Sequence, residues 1–303
     1  MNVIVTGGTG FIGKKLVRTL AHRGDTVCVL TRGASVKEGD GRVRFLSWTP
    51  QEKGPWMSAI EDADAIVHLA GASVLDERWS KERLEVLRAS RVDSTHLVAL
   101  AAAESKKRPT LVSASAIGIY GMRKDDEALA EDGGHGTDVL ASICEAWEAA
   151  ADPAREAGVR VVHPRIGLAL GGDGGALAKM IPPFRAFVGG PIGDGEQWFS
   201  WIHWKDVVSA LVRAIDDATF VGPLNVTAPR PVRMNELARE LGIAMHRPSI
   251  LRVPAAALKL ALGERAQAVL TGPRVIPKKL QDAGFDFAFP GLPEALADIL
   301  AEL

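Results

Sequence analysis

The chain predicts an α/β fold built on a doubly wound parallel sheet, and two observations carry that prediction. Short apolar stretches alternate with stretches of helical periodicity from residue 2 to residue 164. The first apolar stretch runs directly into a glycine-rich loop that opens a helix. Residues 2–6 (NVIVT) read as a buried strand, and residues 11–23 (FIGKKLVRTLAHR) place apolar residues at helical spacing and stop at Gly24. Residues 26–31 (TVCVLT) are β-rich again, which makes a βαβ unit and favours a parallel sheet with a right-handed crossover.

The alternation continues along the chain. A strand is expected at 64–69, a long helix at 81–104 and a strand at 109–114. A helix follows at 138–157, then a strand at 159–164. After Arg165 the texture changes: glycine and proline accumulate through 171–195, which reads as loops around one short helix. The last hundred residues alternate helices with short strands. The expected division is a nucleotide-binding half, 1–165, and a smaller substrate-side lobe, 166–303, with the chain free to return to the first half after residue 200.

Composition narrows the function. Lys plus Arg number 36 against 37 Asp plus Glu, which argues against binding nucleic acid or a membrane surface through bulk charge. Two cysteines, Cys28 and Cys144, supply neither a disulfide framework nor a metal cluster and point to a reducing compartment. The opening MNVIVTGG enters a strand at once and has no signal-peptide pattern, and no apolar stretch is long enough to span a bilayer. The expectation is a cytoplasmic protein, monomer or homodimer, with a small-molecule substrate and no metal.

The loop TGGTGFIG spaces Gly7, Gly10 and Gly13 as G-x-x-G-x-x-G. Gly7 permits a tight turn, Gly10 lets the backbone approach a pyrophosphate, and Gly13 allows helix to pack closely on strand. The first-turn amides then face the phosphates. Between a strand and a helix, this spacing identifies a Rossmann-like dinucleotide site. An NAD site usually carries a carboxylate at the end of the second strand. Here that strand ends in Thr31 and Arg32, and Arg32 can pair with a 2′-phosphate while Thr31 adds a hydroxyl, so NADP(H) is favoured over NAD(H).

With TGGTGFIG, HLAGA (68–72) and SASAIGIYG (113–121) in place, the chain resembles the extended short-chain dehydrogenase/reductase superfamily. It resembles more closely one atypical branch, the epimerase-family proteins with a short C-terminal domain of unknown function, sometimes labelled nucleoside-diphosphate-sugar epimerases or cell-division-inhibitor-like. SRV (90–92), CEAWEAAA (144–151), PRIGLALGGDGGALAKM (164–180), FRAFVGGPIGDGEQWFSWIHWKD (184–206) and GPRVIPKKLQDAGFDFAFP (272–290) carry that likeness. The resemblance implies NADP(H) binding, an undefined substrate and a family-specific C-terminal domain at about 250–300. It also implies cofactor contacts from Thr9, Phe11 and Ile12 of the loop, from Leu69, Ala70 and Gly71, and from Ser113 and Pro164.

The superfamily pairs a serine with Tyr-x-x-x-Lys and a supporting asparagine. Tyrosine moves the proton, and lysine lowers the tyrosine pKa. Ser115, at the carboxyl edge of a predicted strand, fits the serine role, with Ser113 on the same face as runner-up. Aligning the glutamate that follows the motif with Glu148 puts Leu140 in the tyrosine slot and Cys144 in the lysine slot, where neither does the expected work. Arg91 occupies the asparagine slot, as a cation near the cofactor, as a group that holds an anionic substrate, or as a helix-surface arginine. Tyr120, the chain's one tyrosine, matches a turn position past the serine that is usually structural, with proton transfer as the alternative.

Other candidates lie on the substrate side. Arg165 ends a strand and could hold a phosphate or carboxylate. His203 is an acid/base candidate or a packed histidine, and Trp201 is a wall residue or a stacking platform. Glu145 and Glu148 become proton carriers only if the fold desolvates them. The expected function is an NADP(H)-dependent oxidoreductase or epimerase-like enzyme acting on a carbonyl or hydroxyl carbon, sugar nucleotides being the class the resemblance suggests. The alternative is an NADP(H)-binding sensor with little or no turnover, which the loss of the Tyr/Lys pair favours.

Overall fold

Strands that are apolar on both sides require a sheet covered on both faces. The computed structural model, which describes residues 1–33 and 41–303, contains such a sheet. β1 (Asn2–Thr6) is followed by α1 (Phe11–Arg23), β2 (Thr26–Thr31), β3 (Val43–Ser47) and β4 (Ala65–His68). Then come α2 (Lys81–Glu104), β5 (Thr110–Ser113), β6 (Ser115–Ala116), α3 (Val139–Ala149) and β7 (Val161–Ile166). The sheet is completed by β10 (Gly222–Val226), reached through β8 (Leu168–Leu170), α4 (Gly175–Arg185), β9 (Trp201–His203) and α5 (Trp204–Asp216). Spatial order is β10-β7-β5-β4-β1-β2-β3, all parallel, with β6 continuing β5 alongside β7.

Strand alternation sorts the core into two layers. Val3 and Val5 face α1 and α5, where they meet Leu16, Leu20, Val207 and Leu211. Ile4 between them points to the other face and meets Val98 and Ala102 of α2. Each such fully buried aliphatic side chain stabilises the fold by about 1.5–3 kcal/mol. The chain runs from β1 through β2 to β3 on one side, then crosses back to β4 and onward on the other. The strand order therefore reverses between β1 and β4, and a crevice opens at their carboxyl ends.

Three local features depart from the sequence reading. Strand β3 and the short helical segments at 55–61 fall where no element was expected. The helix expected over 138–157 is interrupted: α3 ends at Ala149 and a separate turn begins at Asp152. Pro153 explains the break, since it lacks an N–H and its ring clashes with the carbonyl four residues earlier. Finally, the strand expected to end at Pro164 continues to Ile166, which brings Arg165 into the sheet.

Beyond β8, α6 (Met234–Met245) packs with α4 and with α9 (Leu292–Ala301), around Leu177, Phe184, Trp201, Leu237 and Leu296. The short helices α7 (Ala255–Leu262) and α8 (Ala266–Leu270) lie between these last two in sequence. The Asp206 carboxylate in α5 accepts hydrogen bonds from the amides of Ala288 and Phe289, which ties the C-terminal segment to the sheet layer.

Candidate functional site

The crevice at the β1/β4 reversal is a cleft of 610 Å³, and the glycine loop forms its floor. Gly7 adopts φ +66°, and a Cβ there would stand 2.8 Å from the Leu69 carbonyl. A Cβ on Gly13 would stand 2.1 Å from the Gly7 carbonyl oxygen, inside any allowed contact. Gly10 is the extended N-cap of α1, and as a glycine it brings no side chain to cap the first-turn amides. Those amides remain to meet an anion. The residues present therefore fit a dinucleotide pyrophosphate.

The other expected cofactor residues divide into two groups. Thr9, Thr31, Arg32, Leu69, Ala70 and Gly71 line the cleft with Gly7 and Gly10. Arg32 is exposed at the end of β2. Phe11, Ile12, Ser113 and Pro164 do not line it. The Phe11 ring fills the space beside Gly171, Gly174 and Gly175, and Ile12 packs on the sheet core. Pro164 is buried inside β7, paired in register with Leu224. Ser113 is wholly buried at the end of β5, and its hydroxyl has no hydrogen-bond partner among the described residues. Arg91 packs its guanidinium on Gly71 and over the Trp147 ring, and donates to the carbonyls of Ala72 (2.9 Å) and Leu87 (3.0 Å). Burial pulls its pKa down, and its charge is felt by Cys144.

Two strands away, the carboxyl edge of the sheet carries a buried polar network. Ser115 and Arg165 are register partners on β6 and β7, so both side chains share a face. From α3, Glu148 reaches both. Ser115 Oγ donates to Glu148 Oε1 at 2.7 Å, and Arg165 binds the same carboxylate with two bonds, at 2.8 Å and 2.9 Å. Burial pushes the Glu148 carboxyl up, but the Arg165 bonds and charge outweigh it and hold the group below its ordinary value. Arg165 also donates to the Tyr120 hydroxyl (2.9 Å) and the Glu131 carbonyl (3.0 Å). The Tyr120 hydroxyl donates toward Asn225 Oδ1 at 2.7 Å, with the Ala130 carbonyl 3.0 Å away. Burial raises the Tyr120 pKa.

This placement bears on the readings left open for the other candidates. Arg165 is 2 % exposed and spends its donors inside the protein, so it is not presented to a substrate phosphate or carboxylate. Tyr120 is fully buried and its hydroxyl belongs to the same network. His203 is fully buried, stacks on Phe289 at 3.9 Å, and caps α5 by accepting from the Lys205 amide at 3.1 Å. Burial lowers its pKa to about 4, which leaves it neutral. Trp201 is buried in the C-terminal core and bonds the Arg230 carbonyl at 3.0 Å. In the lysine slot, burial pushes the Cys144 thiol up to about 12, so no thiolate is available. Leu140, in the tyrosine slot, is half-buried.

Glu148 is the residue the sequence undervalued. Its surroundings meet the desolvation condition, whereas Glu145 is exposed and pairs with His135 at 2.8 Å. The available signal was its position one helical turn after Cys144, on the face that α3 turns to the sheet.

Sheet order, glycine cradle and edge network together define a dinucleotide-binding protein of the extended short-chain dehydrogenase/reductase class. The chain belongs to the NAD dependent epimerase/dehydratase family, whose model matches residues 3–226, and it carries the family-specific C-terminal domain of unknown function, DUF1731, at residues 253–299. It is 41% identical over 304 residues to the chloroplastic Epimerase family protein SDR39U1 homolog of Arabidopsis thaliana, covering 99% of this chain and 87% of that protein. Human epimerase family protein SDR39U1 (isoform 2), solved with NADPH, superposes with a TM-score of 0.87 at 32% identity over 100% of both chains. A nucleoside-diphosphate sugar epimerase from Corynebacterium glutamicum gives a TM-score of 0.78 at 35% identity, over 100% of this chain and 58% of that one. Among the described residues, no helix is long and apolar enough to cross a membrane.

Proposed function

We propose that the protein is an NADP(H)-dependent oxidoreductase or epimerase-like enzyme acting at a carbonyl or hydroxyl carbon, with Ser115 and Glu148 as its proton path. The observation that carries this reading is the Ser115–Glu148 hydrogen bond of 2.7 Å on the sheet edge that also bears the glycine cradle. Strands lie about 4.8 Å apart, so Ser115 is roughly 10 Å from the loop, within the span of a dinucleotide lying across the strand ends. Gly7, Thr9 and Gly10 would hold the pyrophosphate, and Thr31 and Arg32 the 2′-phosphate; the human relative solved with NADPH supports that choice. When bound, the nicotinamide supplies or accepts a hydride.

The residues of the chain handle the proton. Ser115 has one hydrogen and gives it to Glu148, which leaves its oxygen lone pairs for a substrate hydroxyl. As that hydroxyl is oxidised, Ser115 receives its proton and passes its own to Glu148. Reduction runs the same path backwards. Arg91, beside Gly71 and Cys144, takes over the fixed positive charge that the lysine slot has lost. Residues 1–165 with the returning strand β10 would hold the cofactor, and 166–303 would face the substrate.

The test follows nicotinamide absorbance with a panel of carbonyls and alcohols. Turnover should fall by about a hundredfold or more in Ser115→Ala, the scale of a lost acid–base group. NADPH affinity should be unchanged. The buried thiol in the lysine slot and leucine in the tyrosine slot favour a second reading, an NADP(H) sensor. Tight NADPH binding with no turnover across the panel would establish that reading instead.

A further inference from the structure

Beyond the buried network, the substrate side holds two adjoining cavities. One, of 480 Å³, lies against Tyr120, His135, Thr137 and Asp138; the other, of 460 Å³, lies against Trp79, Val139, Lys259 and Ala266. Met122 and Gln267 line both, so the two form one trough. The N-terminus of α3 makes one wall, α7 and α8 the other. Leu140, which stands where the superfamily keeps its tyrosine, sits against Gly118 and lines neither cavity.

The trough is poorly suited to a diphosphate. Arg165 is committed to Glu148, and Arg123 pairs with Asp125 at 2.8 Å and with Glu127. Arg265 is spent on the carbonyls of Leu75 (2.6 Å) and Leu262 (3.2 Å). Lys259 shares its wall with Glu264. A nucleoside diphosphate brings at least two negative charges and needs uncommitted cations or clustered amides. What the trough does offer is Trp79, Met122, Val139 and Ala266. Of helix α7, it is Lys259 that lines the trough. Apolar lining of an open trough gains by covering a ligand of the same character.

We infer that the trough between α3 and α7–α8 binds the body of a neutral, apolar ketone or alcohol, alkyl or aryl, rather than a nucleoside-diphosphate sugar. The inference rests on the oxidoreductase reading for its reacting carbon, but not for the binding itself.

The test uses the full-length protein saturated with NADPH and ligand-observed NMR, with acetophenone and octanal as apolar probes and UDP-glucose as the charged one. The apolar probes should bind, UDP-glucose should not, and Val139→Asp should weaken the apolar probes by about tenfold or more through a charge placed in the apolar wall. Val139 is 37% exposed and begins α3, where an aspartate suits the helix, so this variant should fold. Met122→Gln is the second variant, with a smaller loss expected. NADPH affinity, measured separately, should not change in either. Binding of UDP-glucose in place of the apolar probes would overturn the inference, as would binding of no probe, or apolar binding that ignores both variants. Apolar binding without turnover would leave the inference standing while the oxidoreductase reading falls. Turnover of UDP-glucose would do the reverse.

Discussion

The glycine loop after β1 and the Ser115 edge lie on the same side of one sheet but are held in place by different means. The loop depends on backbone sterics: a Cβ on Gly7 or Gly13 would collide with main-chain atoms that have nowhere to go. The Ser115 edge depends on side chains from four places, namely Ser115, Glu148, Arg165 and Tyr120, meeting in one hydrogen-bonded set. A requirement of backbone shape allows few substitutes. A proton path is a chemical task that different side chains can perform, provided that they are brought within hydrogen-bond reach. This difference accounts for a cofactor loop that keeps its expected residues beside tyrosine and lysine slots that do not.

The largest effect that would test the comparison comes from breaking the buried pair. Arg165→Met leaves Glu148 without its counter-charge in a desolvated place and should cost about 3–5 kcal/mol in stability. Adding Glu148→Gln should recover much of that loss, because the orphaned charge is then gone. Chemical denaturation of the two variants measures both figures. A loss near zero in the single variant would mean that the network does not hold the Ser115 edge together.

Acid separates the two regions by pH. Behind the loop, His68 bridges Thr6 (2.7 Å) and Ser94 (3.1 Å), and burial lowers its pKa to about 3 from the ordinary 6.5. Below pH 6.5 the unfolded chain takes up a proton that the folded one refuses, so stability falls as pH drops. His163 and His203, both lowered to about 4 by burial, act in the same sense. The slope can reach about 1.4 kcal/mol per pH unit for each such histidine. Glu148 is held below its ordinary 4.5, so its contribution is intact above that value and is lost only as pH falls through the lower folded value. Stability measured against pH should therefore decline first between pH 6.5 and 4.5, with a shallower decline in His68→Gln. A flat profile over that range would mean that the histidines are not buried neutral.

The same contrast governs what could be read from the sequence. The β1–α1–β2 unit was legible because its signals are local: strand alternation, helical periodicity and glycine spacing lie within thirty residues. The expectation that Thr31 and Arg32 meet the cofactor came from that unit, and both residues line the cleft. Arg165, Trp201 and His203 were visible as residue types that could meet a substrate, but their partners Glu148, Arg230 and Lys205 come from separate elements or from a helix start, and only the folded chain joins them. Glu148 looked like one more charge on a long helix for the same reason. Its role depends on the register between β6 and β7, which no spacing within α3 encodes.

Arg32 provides the finest test because it lies at the exposed end of the cleft, away from the core. Its guanidinium lines the cleft at the end of β2, where an NAD-selective site would carry a carboxylate. An exposed arginine contributes little to folding, so Arg32→Ala should leave Tm within about a degree of wild type, in keeping with a surface change of under 0.5 kcal/mol. Its effect should appear only in the choice of cofactor. A charge-assisted bond to phosphate is worth about 1.5–3 kcal/mol, so NADPH affinity should drop about tenfold or more while NADH affinity holds. Titrating both cofactors into both proteins measures the ratio. Equal affinity of the wild type for NADPH and NADH would sink the assignment, and with it the claim that cofactor choice is set at this one strand end while the chemistry is set at the other.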